Sequence, residues 1–423
     1  MKTSFYKNIF GLILLVSTCF TIKATAQVTL VNDTVSMSPG YANEVYYSMA
    51  NGKGKIGPRD SWDIAFRTKK LSSSILINDG AGVILWSYRK ADTTGWTSMD
   101  TSGLSGWAPM FNDPDDWENG AFSRHAGSFP DYGWGKYNTV SHDLVGDSIF
   151  IISLRDGTFR KIWIVRKKSV DDIYIFKYAN LDGSNEQQFS LDLNPFIDRD
   201  FYGFSLETNS PVDFEPLQAD WDILFTKYMS VQPDGTPYPV TGVLSNAGVK
   251  SKAFHHVSLN YNEWWVNSWD STRSSIGYNW KTFNMTTFTY VVEDSLVYFV
   301  RSLQGDVYKL IFTKFEGSST GVIVFMKVKV SSLGINNENQ SGTEITIYPN
   351  PAREFINVYC PNSTAENSTV TLSDLFGSSL NRTKLSFGKN KISFDATGLS
   401  SGIYFITVNT PSGTSIRKVI ISR

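Results

Sequence analysis

The sequence predicts an all-β protein assembled from antiparallel modules. Three features carry that reading. Aromatic residues make up 14% of the 423 residues and glycine occurs 32 times. Apolar residues alternate over short runs instead of recurring at helical spacing, and turn residues close most of those runs. In chain order the segments read as an export signal, two tandem β units, a linker and a small terminal sandwich.

The first 26 residues have the layout of a secretory signal peptide. Lys2 and Lys7 precede the apolar run Ile9 to Val16, and Ala24-Thr25-Ala26 offers a small-x-small cleavage site before Gln27. The apolar run is too short to be kept as a spanning helix, and no later stretch qualifies. The mature chain is therefore expected to have no transmembrane segment. Val16-Ser-Thr-Cys19 loosely resembles a lipobox. Thr18 fits it poorly, however, and the Ala-x-Ala site follows at once, so cleavage after Ala26 is expected.

Cleavage would leave Cys360 as the single cysteine, which excludes an intramolecular disulfide and a cysteine metal site. Stability must then come from sizeable apolar cores, which a chain of this length can build. A net charge of −1 without a basic run gives no footprint for nucleic acid.

The middle of the chain repeats itself. Ser61-Trp-Asp-Ile-Ala-Phe66 is echoed by Asp220-Trp-Asp-Ile-Leu-Phe225, and Gly80-Ala-Gly-Val83 by Asn246-Ala-Gly-Val249. Gly133 to Asn138 parallels Gly277 to Asn284, and Asp147 to Gly157 parallels Asp294 to Gly305. Phe159 to Val165 then parallels Val307 to Thr313. Five echoes in one order indicate a duplication whose loops have drifted in length. The units are placed at 28–205 and 206–332, with Asp213 to Gln218 as the lead-in to the second. Val28 to Tyr47 has no visible echo.

Within each unit the runs read as hairpins, with Gly157 and the Gln304-Gly305-Asp306 turn supplying a positive φ cheaply. Trp62, Ile64 and Phe66, and likewise Trp221, Ile223 and Phe225, are expected to share one buried face. Asp63 and Asp222, repeated beside core residues, are expected to bond to a nearby turn. The polar stretch from Ser331 to Gly342 reads as a flexible linker, placed at 333–342.

After the linker come Tyr348-Pro-Asn-Pro351, Val370 to Gly377, Leu399 to Val408 and Lys418-Val-Ile-Ile421. Alternation in Phe355 to Tyr359 and Lys391 to Phe394 reads as a small Ig-like β-sandwich over 343–423. Its motifs resemble the C-terminal sorting domain of the Bacteroidetes type IX secretion system. That resemblance implies the type IX machinery as a partner and a secreted or cell-surface location.

The repeated units, above all Val297 to Arg301 and Tyr308 to Gly321, resemble the HmuY-type family, whose characterised members are all-β haem-capturing proteins. The resemblance implies haem or another porphyrin as ligand, with host haemoproteins as a source. Such a site needs His or Met axial ligands, apolar walls and cations for the propionates. The first unit offers His125, His142 and Met110, with Arg124 for a propionate. The second offers His255, His256 and Met285. Adjacent on a strand, His255 and His256 would face opposite sides.

A rival reading rests on Trp264, Trp265 and Trp269, with Trp96, Trp107 and Trp117 as a similar set in the first unit. Exposed indoles stack on sugar rings as well as porphyrins, which would suit an adhesin or carbohydrate binder that takes no haem. No Gly-x-Ser-x-Gly or His-Glu-x-x-His motif is present, and no catalytic cysteine survives processing, so a non-enzymatic binder is expected.

Overall fold

The structure is a computed structural model that describes residues 30–330, 345–360, 368–374, 378–385, 390–410 and 413–423. The signal peptide and the linker at 333–342 lie outside the described residues.

The chain begins with β1 (Val31–Ser36), β2 (Asn43–Ser48) and β3 (Gly52–Pro58). Next come β4 (Ile64–Arg67), β5 (Ile75–Ile77), β6 (Ile84–Ser87), β7 (Gly135–Tyr137) and β8 (Leu144–Gly146). They are followed by β9 (Phe150–Ser153), β10 (Phe159–Lys168), β11 (Ile173–Asn180), β12 (Gln187–Asp192), β13 (Phe201–Ser205) and β14 (Ser210–Val212). The second repeat supplies β15 (Ile223–Val231), β16 (Pro237–Ser245), β17 (Lys250–Phe254) and β18 (Lys281–Asn284). It ends with β19 (Thr289–Val292), β20 (Val297–Arg301), β21 (Val307–Phe315) and β22 (Val322–Lys329). Helical turns among the described residues are short 3₁₀ pieces, as the fold class requires.

The first module is a two-layer sandwich. Its smaller sheet has the order β14-β13-β4-β5, and its larger sheet runs β12-β11-β10-β9-β6, with the β7–β8 hairpin also joined to β10. Ile64, Phe66, Phe150, Ile162, Phe176 and Phe204 meet between the layers with almost no exposure. The second module repeats this plan: β3-β2-β15-β16 packs on β1-β22-β21-β20-β17 around Val45, Phe225, Val300, Leu310 and Phe325.

One boundary differs from the expectation. Residues 31–58 fall in the first unit by sequence, yet β1 pairs with β22, and β2 pairs with β15. Strand for strand, β1, β2 and β3 occupy the places that β12, β13 and β14 hold in the first module. The first module is thus inserted between the opening strands and the remainder of the second. Without β1 and β2, the edges of β22 and β15 would present open backbone groups beside an uncovered core.

The duplication extends from the sandwich strands to their polar anchors. Asp63 Oδ2 accepts from the Leu206 amide at 2.7 Å, and Asp222 Oδ2 accepts from the Met49 amide at 2.7 Å. The Asn78 side-chain amide donates to the carbonyls of Arg59 and Trp62, and that of Asn246 to those of Gln218 and Trp221. Gly82 (φ 98°) and Gly248 (φ 93°) close the same turn in a conformation that a side chain would strain. Both aspartates therefore serve the turns, as their repetition suggested.

The face assignment at the tryptophans needs correction. Ile64 and Phe66 enter the sandwich core, whereas Trp62 packs with Ala65, Leu76 and Phe201 on the other side of the sheet. Trp221 likewise joins Tyr46 and Leu224, away from Ile223 and Phe225. Strand alternation starts only at Ile64 and Ile223, so the bend at the preceding aspartate breaks the count. Both indoles line the seam between modules, where Trp117 lies 5.8 Å from Phe201 and 6.3 Å from Trp221.

That seam is tight and polar. A Cβ on Gly80 would fall 1.9 Å from the Lys227 carbonyl oxygen, so only glycine fits this approach of the two backbones. Asp79 accepts from Asn112 in its own module and from the Met229 amide across the seam. Burial pushes Asp79 up to about 6 and Glu44 up to about 7. The guanidinium of Arg273 stacks 4.3 Å over Trp117.

The terminal domain pairs Thr346–Tyr348, Phe355–Tyr359 and Lys391–Asp395 in one sheet. Ser379–Lys384, Thr369–Ser373, Gly402–Thr410 and Gly413–Ile421 form the other. Ile356, Val358, Val370, Ile406 and Val419 fill the space between them. Cys360 is buried and free.

Candidate functional site

His255 follows the last residue of β17 and is half-exposed. Its Nδ1 lies 3.0 Å from Glu293 Oε1 and 3.3 Å from Oε2. Glu293 follows β19 directly, and its amide is fixed by the Trp280 carbonyl. A carboxylate on Nδ1 orients the ring and turns Nε2 outward, the arrangement common to metal-ligating histidines. Val291 of β19, two residues before Glu293, is 52% exposed. His256 sits beside it at φ 58°, ring centroids 6.3 Å apart, so the pair is a turn and not two strand positions. Met285 stands 73% exposed in the hairpin turn.

The first-unit candidates do not assemble in the same way. Met110 is buried in the sandwich core and its backbone bridges Leu85. His125 is exposed with Nε2 2.8 Å from Arg89 Nη2, and burial together with Arg89 and Arg124 holds its imidazole below the usual value. Arg124 is ion-paired to Asp113 at 2.6 Å, which removes it as a dedicated propionate partner. His142 occupies the β7–β8 turn at φ 60°, its Nδ1 2.8 Å from the Tyr137 hydroxyl.

That turn opens onto a cleft of about 460 Å³. Its lining comes from three segments: Lys70, Leu71 and Ser72; Tyr132, Tyr137, His142 and Leu144; and Lys167, Ser169 and Val170. Sequence reading missed the cleft because its lining comes from three separated segments, 70–72, 132–144 and 167–170. The echo at Gly133 to Asn138 marked the hairpin but not what lay opposite it.

The tryptophan loops are mostly structural. Lys252 donates to the carbonyls of Trp264, Val266 and Asn267 and lies 4.3 Å over the ring of Trp269, holding the loop against the outer face of the large sheet. Trp264 and Trp269 join the cluster of Phe254, Val297 and Phe299 there, while Trp265 remains 66% exposed. In the first module Lys161 donates to the Trp96 carbonyl at 2.6 Å, and Trp96 and Trp107 pack down with Tyr88 and Ile151. Among the described residues no group of three or more His, Cys, Asp or Glu side chains is placed to hold a metal ion, and no helix is long and apolar enough to cross a membrane.

No curated protein matches the sequence. Among solved structures the chain is similar to dimeric latent PorU from Porphyromonas gingivalis at 13% identity and a TM-score of 0.16. The match covers 89% of this chain and 40% of that one. Residues 346–422 match the secretion system C-terminal sorting domain, and this tail directs the chain through the type IX machinery to the cell surface or the extracellular space.

Proposed function

We propose that the exported chain is a non-enzymatic ligand-binding protein whose second module captures haem or a related porphyrin through His255. The observation that carries this reading is the His255–Glu293 pair at the foot of an apolar hairpin. Glu293 fixes the ring and leaves Nε2 for iron, while Val291, exposed on the adjoining strand end, offers an apolar surface nearby. The resemblance of this module to haem-capturing proteins and the export tail both agree with it. Haemin titration tests the proposal. A Soret shift that saturates at one equivalent is expected, strongly weakened by His255→Ala and moderately by Glu293→Gln. Absence of any shift under both oxidising and reducing conditions refutes haem capture.

Trp265 favours a second reading. An exposed indole on a loop held down by Lys252 is a rigid platform for a sugar ring, as an adhesin would need. Glycan-array binding lost in Trp265→Ala, with haemin inert, would establish that alternative.

A further inference from the structure

The cleft beside the β7–β8 hairpin belongs to the first module and is independent of His255. At about 460 Å³ it falls within the roughly 300–1,000 Å³ typical of small-molecule sites. One wall is aromatic, made by Tyr132 and Tyr137, with Phe129 5.8 Å from the Tyr137 ring. Leu71 and Val170, also in the lining, stand 99% and 68% exposed, apolar side chains left in water.

The ionisable groups of the lining are lysine, histidine and tyrosine. None of the residues lining the cleft is acidic. Lys167 is buried with its ammonium 3.0 Å from Asp172 and donates to the carbonyls of Lys70 and Ser72, so its charge is answered within the fold. Lys70 is exposed at the rim and supplies the cation there. His142 and the Tyr137 hydroxyl, already bonded to each other, add a donor and acceptor pair on the aromatic side.

Tyrosine rings accept the apolar face of a pyranose, hydroxyl and imidazole groups meet its hydroxyls, and a lysine at the rim attracts a carboxylate. We infer that this cleft binds a pyranose bearing a carboxylate, either as the free sugar acid or as the terminal residue of a glycan. The second module differs at this place. Its matching turn carries Phe288 where the first carries His142, and its hairpin is not hydrogen-bonded to β21.

The test is titration of the mature chain, followed by NMR or calorimetry, with glucuronic acid, N-acetylneuraminic acid and neutral glucose. Sialyllactose and a glucuronate-terminated oligosaccharide separate the free from the glycan-borne source. At least one acid is expected to saturate with about tenfold preference over glucose. Lys70→Glu and His142→Asn should each weaken it about tenfold, and asparagine tolerates φ 60°, so the melting temperature should not move. The inference is overturned if neither acid binds saturably, if glucose binds equally well, or if both substitutions leave acid binding unchanged. Haemin binding at His255 is unaffected by either outcome, so the two readings stand or fall separately.

Discussion

At the turn of its small hairpin the first module holds His142 at φ 60°, and the second holds Phe288 at φ 53° in the matching place. An asparagine caps both turns: Asn138 Oδ1 accepts from Val140 and Ser141, and Asn284 Oδ1 from Thr286 and Thr287. Backbone and cap are shared, but the surroundings are not. In the first module β8 is bonded to β10 and the hairpin walls a cleft; in the second, Met285 and Phe288 project into solvent. Duplication has thus kept the parts that fold the sandwich and released the hairpin for divergence. Function is to be sought where the copies differ, and stability where they agree.

The harshest way to break this comparison is to delete residues 27–58. If the modules are independent, the second should lose its cooperative transition while the first keeps protected amides by hydrogen exchange. Collapse of both would show that the seam, not each core, is the folding unit. Trp134 and Trp280 are both fully buried in matching places, so either Trp→Ala change should cost about 3–5 kcal/mol by denaturant titration. A cost confined to one copy would mean that the cores have diverged.

The shared seam has its own signature in pH. Asp79 and Glu44 are raised by burial to about 6 and about 7. Their contribution is fully present below the unfolded values near pH 4 and is lost as pH rises through 6 to 7. Stability should therefore fall by roughly 2–3 kcal/mol for each group from pH 4 to pH 8, and Glu44→Gln should flatten its part of that slope. Asp63→Ala and Asp222→Ala should each cost about 1–3 kcal/mol by leaving a buried amide unbonded. Unequal values would sharpen which turn matters more. The smallest effect is expected at Phe288→Gly, a gain of roughly 0.5–1 kcal/mol in thermal melts from relieving a left-handed aromatic that is 74% exposed.

Much of the architecture was legible because period-2 alternation and repeated turn residues are local signals. The repeated Trp-Asp-Ile-x-Phe located equivalent strands, and Gly157 and Gly305 do sit at φ 82° and 85°. Val28 to Tyr47 had no echo because its counterpart is β12 and β13, late in the first repeat, and sheet pairing preserved little of the residue identity between them. The tryptophan faces were misread since a bend at Asp63 and Asp222 cannot be seen in spacing. Candidate histidines could be named but not paired: Glu293 as the partner of His255, 38 residues away, is a tertiary fact.

The opening strands carry a consequence for how the chain matures. The Ser36 hydroxyl bonds to the Thr320 carbonyl, 284 residues downstream, so the second sandwich is closed by a clasp formed from its first and last strands. Such distant contacts are slow to find one another. The inserted module holds all its strands in one continuous stretch and can fasten early. Its neighbour must wait until the whole span between Pro58 and Lys329 has emerged, which makes the sorting tail's arrival and the clasp's closure nearly simultaneous events.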